Sequence, residues 1–276
     1  MYLGSGLPTE YLEQAVRSAL NQTHLPCEIV LSDDTTGNEV AKWLEGFEGN
    51  GKTPILHVRN TKPRGVSSNS NFGASHSTGD FIHFLHADDF IFNPNAYADA
   101  LTELLKHNQN WLLFSGQTGE GVTIPSIQDL NLFGVNSVGG PSAIFVKREA
   151  FIGFDENLSM LMDIDFLIKM FETFGSPIIS SGVSIIYGSG SWQIQQNTSR
   201  AKVNSELEHL WQSGSIDIST FYQLIAMESA WDLKRDALTF LWKTSRIDAF
   251  DYFRYRIRVE FMAFMRRIIN RYNKGT

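Results

Sequence analysis

Glu28-Ile29-Val30-Leu31-Ser32-Asp33-Asp34-Thr35-Thr36-Gly37 runs from a short apolar stretch into paired aspartates and a turn, after which Val40, Trp43, Leu44 and Phe47 recur at helical spacing. An apolar run bounded by turn residues predicts a strand, and the three-and-four spacing predicts the helix that follows it. The unit repeats downstream. Ile55 to Val58 reads as a second strand, Ser67 to Ser77 as a small-residue helix, and Phe81 to Leu85 as a third strand ending in His86-Ala87-Asp88-Asp89. Upstream, Tyr11, Leu12, Ala15, Val16, Ala19 and Leu20 mark a helix that stops at Asn21-Gln22-Thr23. Strands alternating with helices predict an α/β fold, a doubly wound, mostly parallel sheet flanked by helices.

The pattern continues with a helix over Pro94 to Lys106, strands over Trp111 to Phe114 and Ser142 to Val146, a helix over Asp163 to Phe174, and short strands at Ile178 to Ile179 and Val183 to Tyr187. From Arg200 onward no strand pattern is visible, and helical stretches follow one another with breaks near Ser213-Gly214-Ser215, Asp232 and Ser245. The expected organisation is therefore an α/β domain over residues 1–199 and an all-helical appendage over residues 200–276.

Composition bounds the classes of function. The 276 residues are 42% apolar and 19% charged, the proportions of an ordinary globular chain. The longest apolar stretch, Phe81 to Phe92, is interrupted by His83, His86, Asp88 and Asp89 and falls short of the roughly 18 residues a membrane span needs. The start lacks the basic and apolar segments of a secretory leader, and Cys27 is the only cysteine, so a reducing, cytoplasmic setting is expected. A net charge of -7 counts against nucleic acid as a partner, because phosphate tracking demands a broad positive face. The basic excess lies in the last residues, where Phe253, Ile257, Phe261, Phe264, Ile268 and Tyr272 alternate with Arg254, Arg258, Arg266, Arg267 and Arg271. This is a basic amphipathic helix. Three homes for its apolar face stay open: the chain's own α/β domain, a second copy in a homodimer, or peripheral contact with an anionic membrane.

The candidate chemistry lies in Asp33, Asp34, Asp88, Asp89, Asp163 and Asp165. In doubly wound sheets ligands bind beyond the carboxyl ends of the strands, where the first two pairs fall. Clustered carboxylates repel unless something positive lies between them, and a hard divalent cation, Mg²⁺ or Mn²⁺, suits oxygen donors and leaves positions for a phosphorylated substrate. The plainer reading is that strand-end aspartates cap the helices that follow.

These segments carry a resemblance. Tyr11 to Thr23 followed by Glu28 to Thr36 resembles the opening of the inverting family 2 glycosyltransferases of GT-A fold, in which a helix closing in N-Q-T leads to a strand with a V-D-D-G-S-like nucleotide turn. The similarity continues through Gly65-Val66-Ser67-Ser68-Asn69-Ser70-Asn71-Phe72-Gly73 and Thr78 to Ile82 into Leu85 to Asp89, which resembles F-L-D-A-D-D. It resumes at Phe154 to Leu158 and at Met162-Asp163-Ile164-Asp165-Phe166, and in all covers about residues 8 to 199.

The resemblance implies a nucleoside-diphosphate sugar donor, a UDP-sugar first among them, and a saccharide or lipid-linked acceptor. It implies that Asp33, Asp34, Asn71, His86 and Asp88 lie on the nucleotide, that Asp88 and Asp89 hold Mn²⁺ or Mg²⁺ against its diphosphate, and that Asp163 is the base that deprotonates the acceptor hydroxyl. This sequence departs from the pattern at several places. His86 stands for the first aspartate of the D-x-D element, where neutral imidazole would ligate a metal or bond a ribose hydroxyl. Ser70 replaces an arginine near the phosphates, leaving Arg59, Lys62 or Arg64 to supply positive charge. Only Met1 to Pro8 precede the first helix, so a central strand is expected to be missing or short, with a gap beside Glu28 to Leu31. Gly139 to Ser142 and Trp192, with the glutamines after it, are further candidates for a sugar pocket. His57, His76 and His83 lack ligand spacing and read as structural or surface residues. Two other functions stay open: a catalytically silent sugar-binding or assembly module on the same fold, and a metal-dependent nucleotidyltransferase.

Overall fold

Leu12, Ala15, Val16, Ala19 and Leu20 form one continuous buried face of helix α1 (Thr9–Leu20), which opens after the extended Pro8. The computed structural model describes residues 2–3, 7–60, 64–119, 121–125, 140–190 and 198–214. Along them run β1 (Tyr2–Leu3), α1, β2 (Ile29–Asp33), α2 (Glu39–Gly46), β3 (Ile55–Arg59), α3 (Val66–Ser75), β4 (Phe81–His83), β5 (Phe90–Ile91), α4 (Ala96–His107), β6 (Trp111–Thr118), β7 (Gly121–Thr123), β8 (Ile144–Lys147), α5 (Met162–Phe174), β9 (Ile178–Ile186) and α6 (Arg200–Gln212). The chain is thus α/β, with helices flanking the sheets. Asn108 closes α4 at φ 50, in the left-handed region that asparagine tolerates.

The expectation of a mostly parallel sheet holds for the first sheet and for one pairing of the second. β1, β2 and β3 pair in parallel, with Tyr2 opposite Ser32 and Ile29 opposite Ile55. A second sheet, in the order β4-β8-β6-β9-β5 with β7 beside β6, is antiparallel at every pairing except β6 with β9. For β7 the local connection explains this. A parallel neighbour needs a crossover of a dozen or more residues, whereas β6 turns straight back into β7. β9 is also one strand rather than two. Ser180-Ser181-Gly182 looks like a break, but Ser115 N donates to Ser180 Oγ at 2.7 Å and Ser115 Oγ donates to Ser180 O at 2.8 Å, so the serines carry the ladder across a shift in register.

One core joins the two sheets. The buried face of α1, Leu31 of β2, Val40 of α2, Ala100 and Leu104 of α4, Leu112 and Phe114 of β6, Phe145 of β8 and Ile185 of β9 belong to a single apolar cluster. A smaller aromatic cluster holds α5 in place. Phe84, just after β4, lies 5.0 Å from Phe151 and 5.1 Å from Phe154, and Phe154 lies 4.7 Å from Phe166 of α5, as ring centroids.

The polar run of α3 is interior rather than a solvated face. Ser32 Oγ donates to Asn69, whose Nδ2 returns a bond to Ser32 O at 2.7 Å, and Asn60 Nδ2 donates to Asn69 Oδ1 at 2.7 Å. From the same turn of the helix, Ser67 donates to Leu158 O and Ser68 to Glu156. α3 therefore clamps the segment that leads into α5.

Beside β2 lies the expected gap. β1 pairs only with Ser32 and Asp33, and a cavity of about 390 Å³ opens next to Glu28, Ile29 and Val30, closed on its far side by Phe81 to His86.

The described residues fall in two compact units, one within 1–127 and 137–198, the other within 128–136 and 199–276. In the second, α6 buries Val203, Leu207 and Leu210, and Lys202 pairs with the buried Glu206 at 3.5 Å. The basic amphipathic stretch from Phe253 to Tyr272 lies outside the described residues, as do Lys62, Gly139 and Trp192 with the glutamines after it. Among the described residues no helix is long and apolar enough to cross a membrane.

Asn69 is the hub of the buried web between β2 and α3, so its loss strands buried donors. Asn69→Ala is expected to lower the unfolding free energy by about 2–3 kcal/mol, measured as a shift of the urea midpoint, whereas a surface-like effect below about 0.5 kcal/mol would contradict that reading.

Candidate active site

β4 ends at His83, and the chain turns immediately through His86-Ala87-Asp88-Asp89 into β5. This tight turn brings one ligand-type atom from each of His86, Asp88 and Asp89 to within 4.8 Å of one another. Asp89 is 6% exposed, and its two oxygens are held from opposite sides: Ser142 Oγ donates to Oδ2 at 2.5 Å, and Gly188 N donates to Oδ1 at 2.9 Å. Ser142 in turn accepts a bond from His86 N at 2.9 Å. The turn is thus fastened to the residues before β8 and after β9.

Electrostatics at the turn favour the arrival of positive charge. Burial, then the neighbouring Asp88, pushes the Asp89 carboxyl up to about 8, against the two hydrogen bonds that favour its ionised form. Burial lowers the His86 imidazole, while Asp88 acts the other way, so His86 is a neutral donor at pH 7. A neutral imidazole beside two carboxyls, one of them held protonated for want of a counter-charge, is a donor set that suits Mn²⁺ or Mg²⁺. The residues therefore fit a hard divalent cation.

Asp163 lies in the first turn of α5, 8% exposed, with Ile164 N donating to its Oδ1 at 2.9 Å. Asp165 plays a different part. It is 1% exposed and accepts from Lys169 Nζ at 2.7 Å, an ion pair one helical turn apart. The aromatic cluster of Phe84, Phe151, Phe154 and Phe166 connects the two acidic elements, so Asp163 and the 86–89 turn are parts of one packed unit.

Asp33 and Asp34 are turned into the fold. Asp33 is fully buried: its Oδ1 accepts from Thr35 N and Thr35 Oγ1, and its Oδ2 lies 3.0 Å from His57 Nε2 and 3.8 Å from Arg59 Nε. Asp34 accepts from Arg64 N at 2.9 Å, Gly65 N at 2.8 Å and Asn60 Nδ2 at 3.2 Å. These carboxylates shape the two loops that border the carboxyl end of the parallel sheet. Asn71 likewise has its amide engaged, donating to Phe154 O at 2.9 Å and accepting from Phe154 N at 2.8 Å. It holds the approach to α5.

Of the residues that complete this site, Ser142 lies in the Gly139 to Ser142 stretch already read as a sugar-pocket candidate, whereas Gly188 and His57 carry no site signal in the sequence. Ser142 and Gly188 contribute one hydroxyl and one amide from distant segments, and His57 reaches Asp33 from the next strand. His83 is wholly structural: it bonds Tyr97 OH and Ser142 O, both at 2.9 Å, and burial lowers it to about 4. Of the cations proposed for phosphates, Arg59 bonds the carbonyls of Thr35 and Gly37, and Arg64 stands 6.0 Å over the Phe72 ring.

Asp89 generates a pH signature. A carboxyl whose folded value lies above the ordinary 3.8 binds its proton more tightly in the folded state, so the stabilisation is present at low pH and is lost as pH rises towards about 8. Metal-free protein is expected to lose stability between pH 5 and pH 8, and Asp89→Asn to flatten that slope in urea titrations. An identical slope in the variant would contradict the assignment.

Comparison with known proteins agrees with this geometry. Residues 9–133 match the family described as Glycosyl transferase family 2. An uncharacterized glycosyltransferase of Haemophilus influenzae is 27% identical over 171 residues, which is 57% of this chain and 56% of that protein, so the chain spans little more than half of this relative. Among solved structures, residues 1–349 of TarS from S. aureus in complex with UDP-GlcNAc share the fold at a TM-score of 0.59 and 15% identity, over 80% of this chain and 70% of that one. The mannosyltransferase PcManGT from Pyrobaculum calidifontis, in complex with GDP-Man and Mn2+, does so at 0.59 and 15%, over 93% and 81%. The matched stretch contains the strand-end aspartates and the His86 to Asp89 turn, so the similarity to glycosyltransferase family 2 falls on the elements that build this site.

Proposed function

We propose that this chain transfers a sugar from a nucleoside-diphosphate sugar, a UDP-sugar first among candidates, to an acceptor hydroxyl with inversion at the anomeric carbon. The observation that carries the reading is the packing of the His86-Asp88-Asp89 turn and Asp163 into one unit through the Phe84, Phe154 and Phe166 rings. The bound UDP-GlcNAc of the S. aureus relative and the GDP-Man and Mn2+ of the Pyrobaculum calidifontis one support a nucleotide donor and a divalent ion.

Asp88, with Asp89 and His86 beside it, would hold the cation. Bound there, a divalent ion would supply positive charge against the negative charge developing on the departing diphosphate. Asp163 takes the proton of the acceptor hydroxyl as its oxygen forms the new bond to the anomeric carbon. The bond from that carbon to the phosphate oxygen breaks, and its electron pair leaves with the nucleoside diphosphate. Asp33 and Asp34 act at the nucleoside end by fixing Thr35 and the backbone of Arg64 and Gly65, and Asn71 acts by fixing the route into α5. Residues 1–199 would make up this catalytic part, with 200–276 as a helical appendage.

Calorimetric titration with UDP, with and without Mn²⁺, tests the reading directly, and no binding in either condition would sink it. Asp163→Asn is expected to lower donor hydrolysis and transfer by about 100-fold or more while leaving UDP affinity within twofold, since the amide keeps the shape but cannot take the proton. Asp88→Asn should instead weaken the Mn²⁺-dependent part of binding. If both variants lost binding alone, the division between base and metal ligand would be wrong. Binding of UDP without any turnover by the wild type would identify a silent module.

A further inference from the structure

Tyr187 follows β9 directly, and among the described residues its buried hydroxyl has no hydrogen-bond partner. Orphaned buried hydroxyls are uncommon in native proteins and call for a reason. The seat of this one is built from both sides. Tyr187 N donates to Gln117 O at 2.9 Å, and the ring lies across Gly116 of β6, where a Cβ would come within 2.2 Å of it. The next residue is tied to the acidic turn: Gly188 N bonds Asp89 Oδ1 at 2.9 Å, and a Cβ on Gly188 would fall 2.2 Å from Asp88 O. One end of the side chain packs on the main core. Burial, then the carboxylates of Asp89 and Asp163, push the phenol above its ordinary range, so it stays a donor. Both carboxylates act on it, yet neither accepts its proton in a hydrogen bond.

We propose that Tyr187 donates a hydrogen bond to an oxygen of the transferred sugar and so helps to select the donor. The inference rests on the function proposed above, for the following reason. If the Asp88 side holds the diphosphate and Asp163 takes the acceptor proton, the anomeric carbon lies between them, and Tyr187, whose neighbour Gly188 bonds Asp89, stands at the Asp88 end of that path. A rigid buried donor also discriminates well, because a ligand without the matching oxygen leaves it unpaired.

The test is Tyr187→Phe, with calorimetric affinities in Mn²⁺ for UDP and for UDP-glucose, UDP-galactose, UDP-GlcNAc and UDP-GalNAc, and with thermal melting of both proteins. The expected result is UDP affinity within twofold of wild type, about tenfold weaker binding of the sugar nucleotide that wild type binds best, and an unchanged or higher Tm. Equal weakening for UDP and UDP-sugar would place the hydroxyl on the diphosphate and overturn the proposal. Unchanged affinities, or a Tm lowered by several degrees with all binding lost, would overturn it as well, the latter by revealing a structural role. Wild type that fails to bind UDP at all would instead remove the underlying function, an outcome distinct from each of these.

Discussion

The arrangement of the α/β unit turns on one buried carboxyl. Asp89 sits where water cannot solvate it, and such a group is tolerated only when its oxygens are satisfied locally. Ser142 and Gly188 satisfy them, and these residues come from segments 53 and 99 positions away in the chain. Holding Asp89 therefore gathers the end of β4, the entry to β8 and the exit of β9 at one point. The antiparallel half of the fold and the acidic turn specify each other.

How much of this was legible depends on whether the signal was local. Helices α1, α4 and α5 announce themselves through apolar residues at three-and-four spacing, and β2 and β3 through short apolar runs, because each element's own burial writes its period. Strand direction in the second sheet was not legible, since pairing is decided between distant segments and nothing within Trp111 to Thr118 reveals that β8 runs against it while β9 runs with it. β5 and β7 are too short to carry a period, and Ser180 hides inside a strand because its hydroxyl does the work of a backbone group.

At the site, the aspartates were visible as residue types, but their orientations were not. Asp33 and Asp34 look equivalent to Asp88 and Asp89 in the sequence, each pair ending a strand. Their difference comes from partners elsewhere: His57 and the backbone of Arg64 and Gly65 occupy the first pair, while the second retains a raised carboxyl awaiting charge. The small-residue run of α3 was read as a helix correctly, yet Asn69 and Ser67 serve buried bonds that only the neighbouring strand and the 154–158 segment explain.

The cavity beside Glu28 to Val30 has a mechanical meaning. It separates the parallel strands from the mixed sheet, so that along this line the two sheets are bridged through α1, α4 and their side chains instead of by a backbone ladder. Interiors are otherwise packed near crystal density, and the opening of about 390 Å³ leaves this edge of β2 without that packing. Water reaches the flank of β2 there, so local opening is expected to begin at this edge rather than within the packed core.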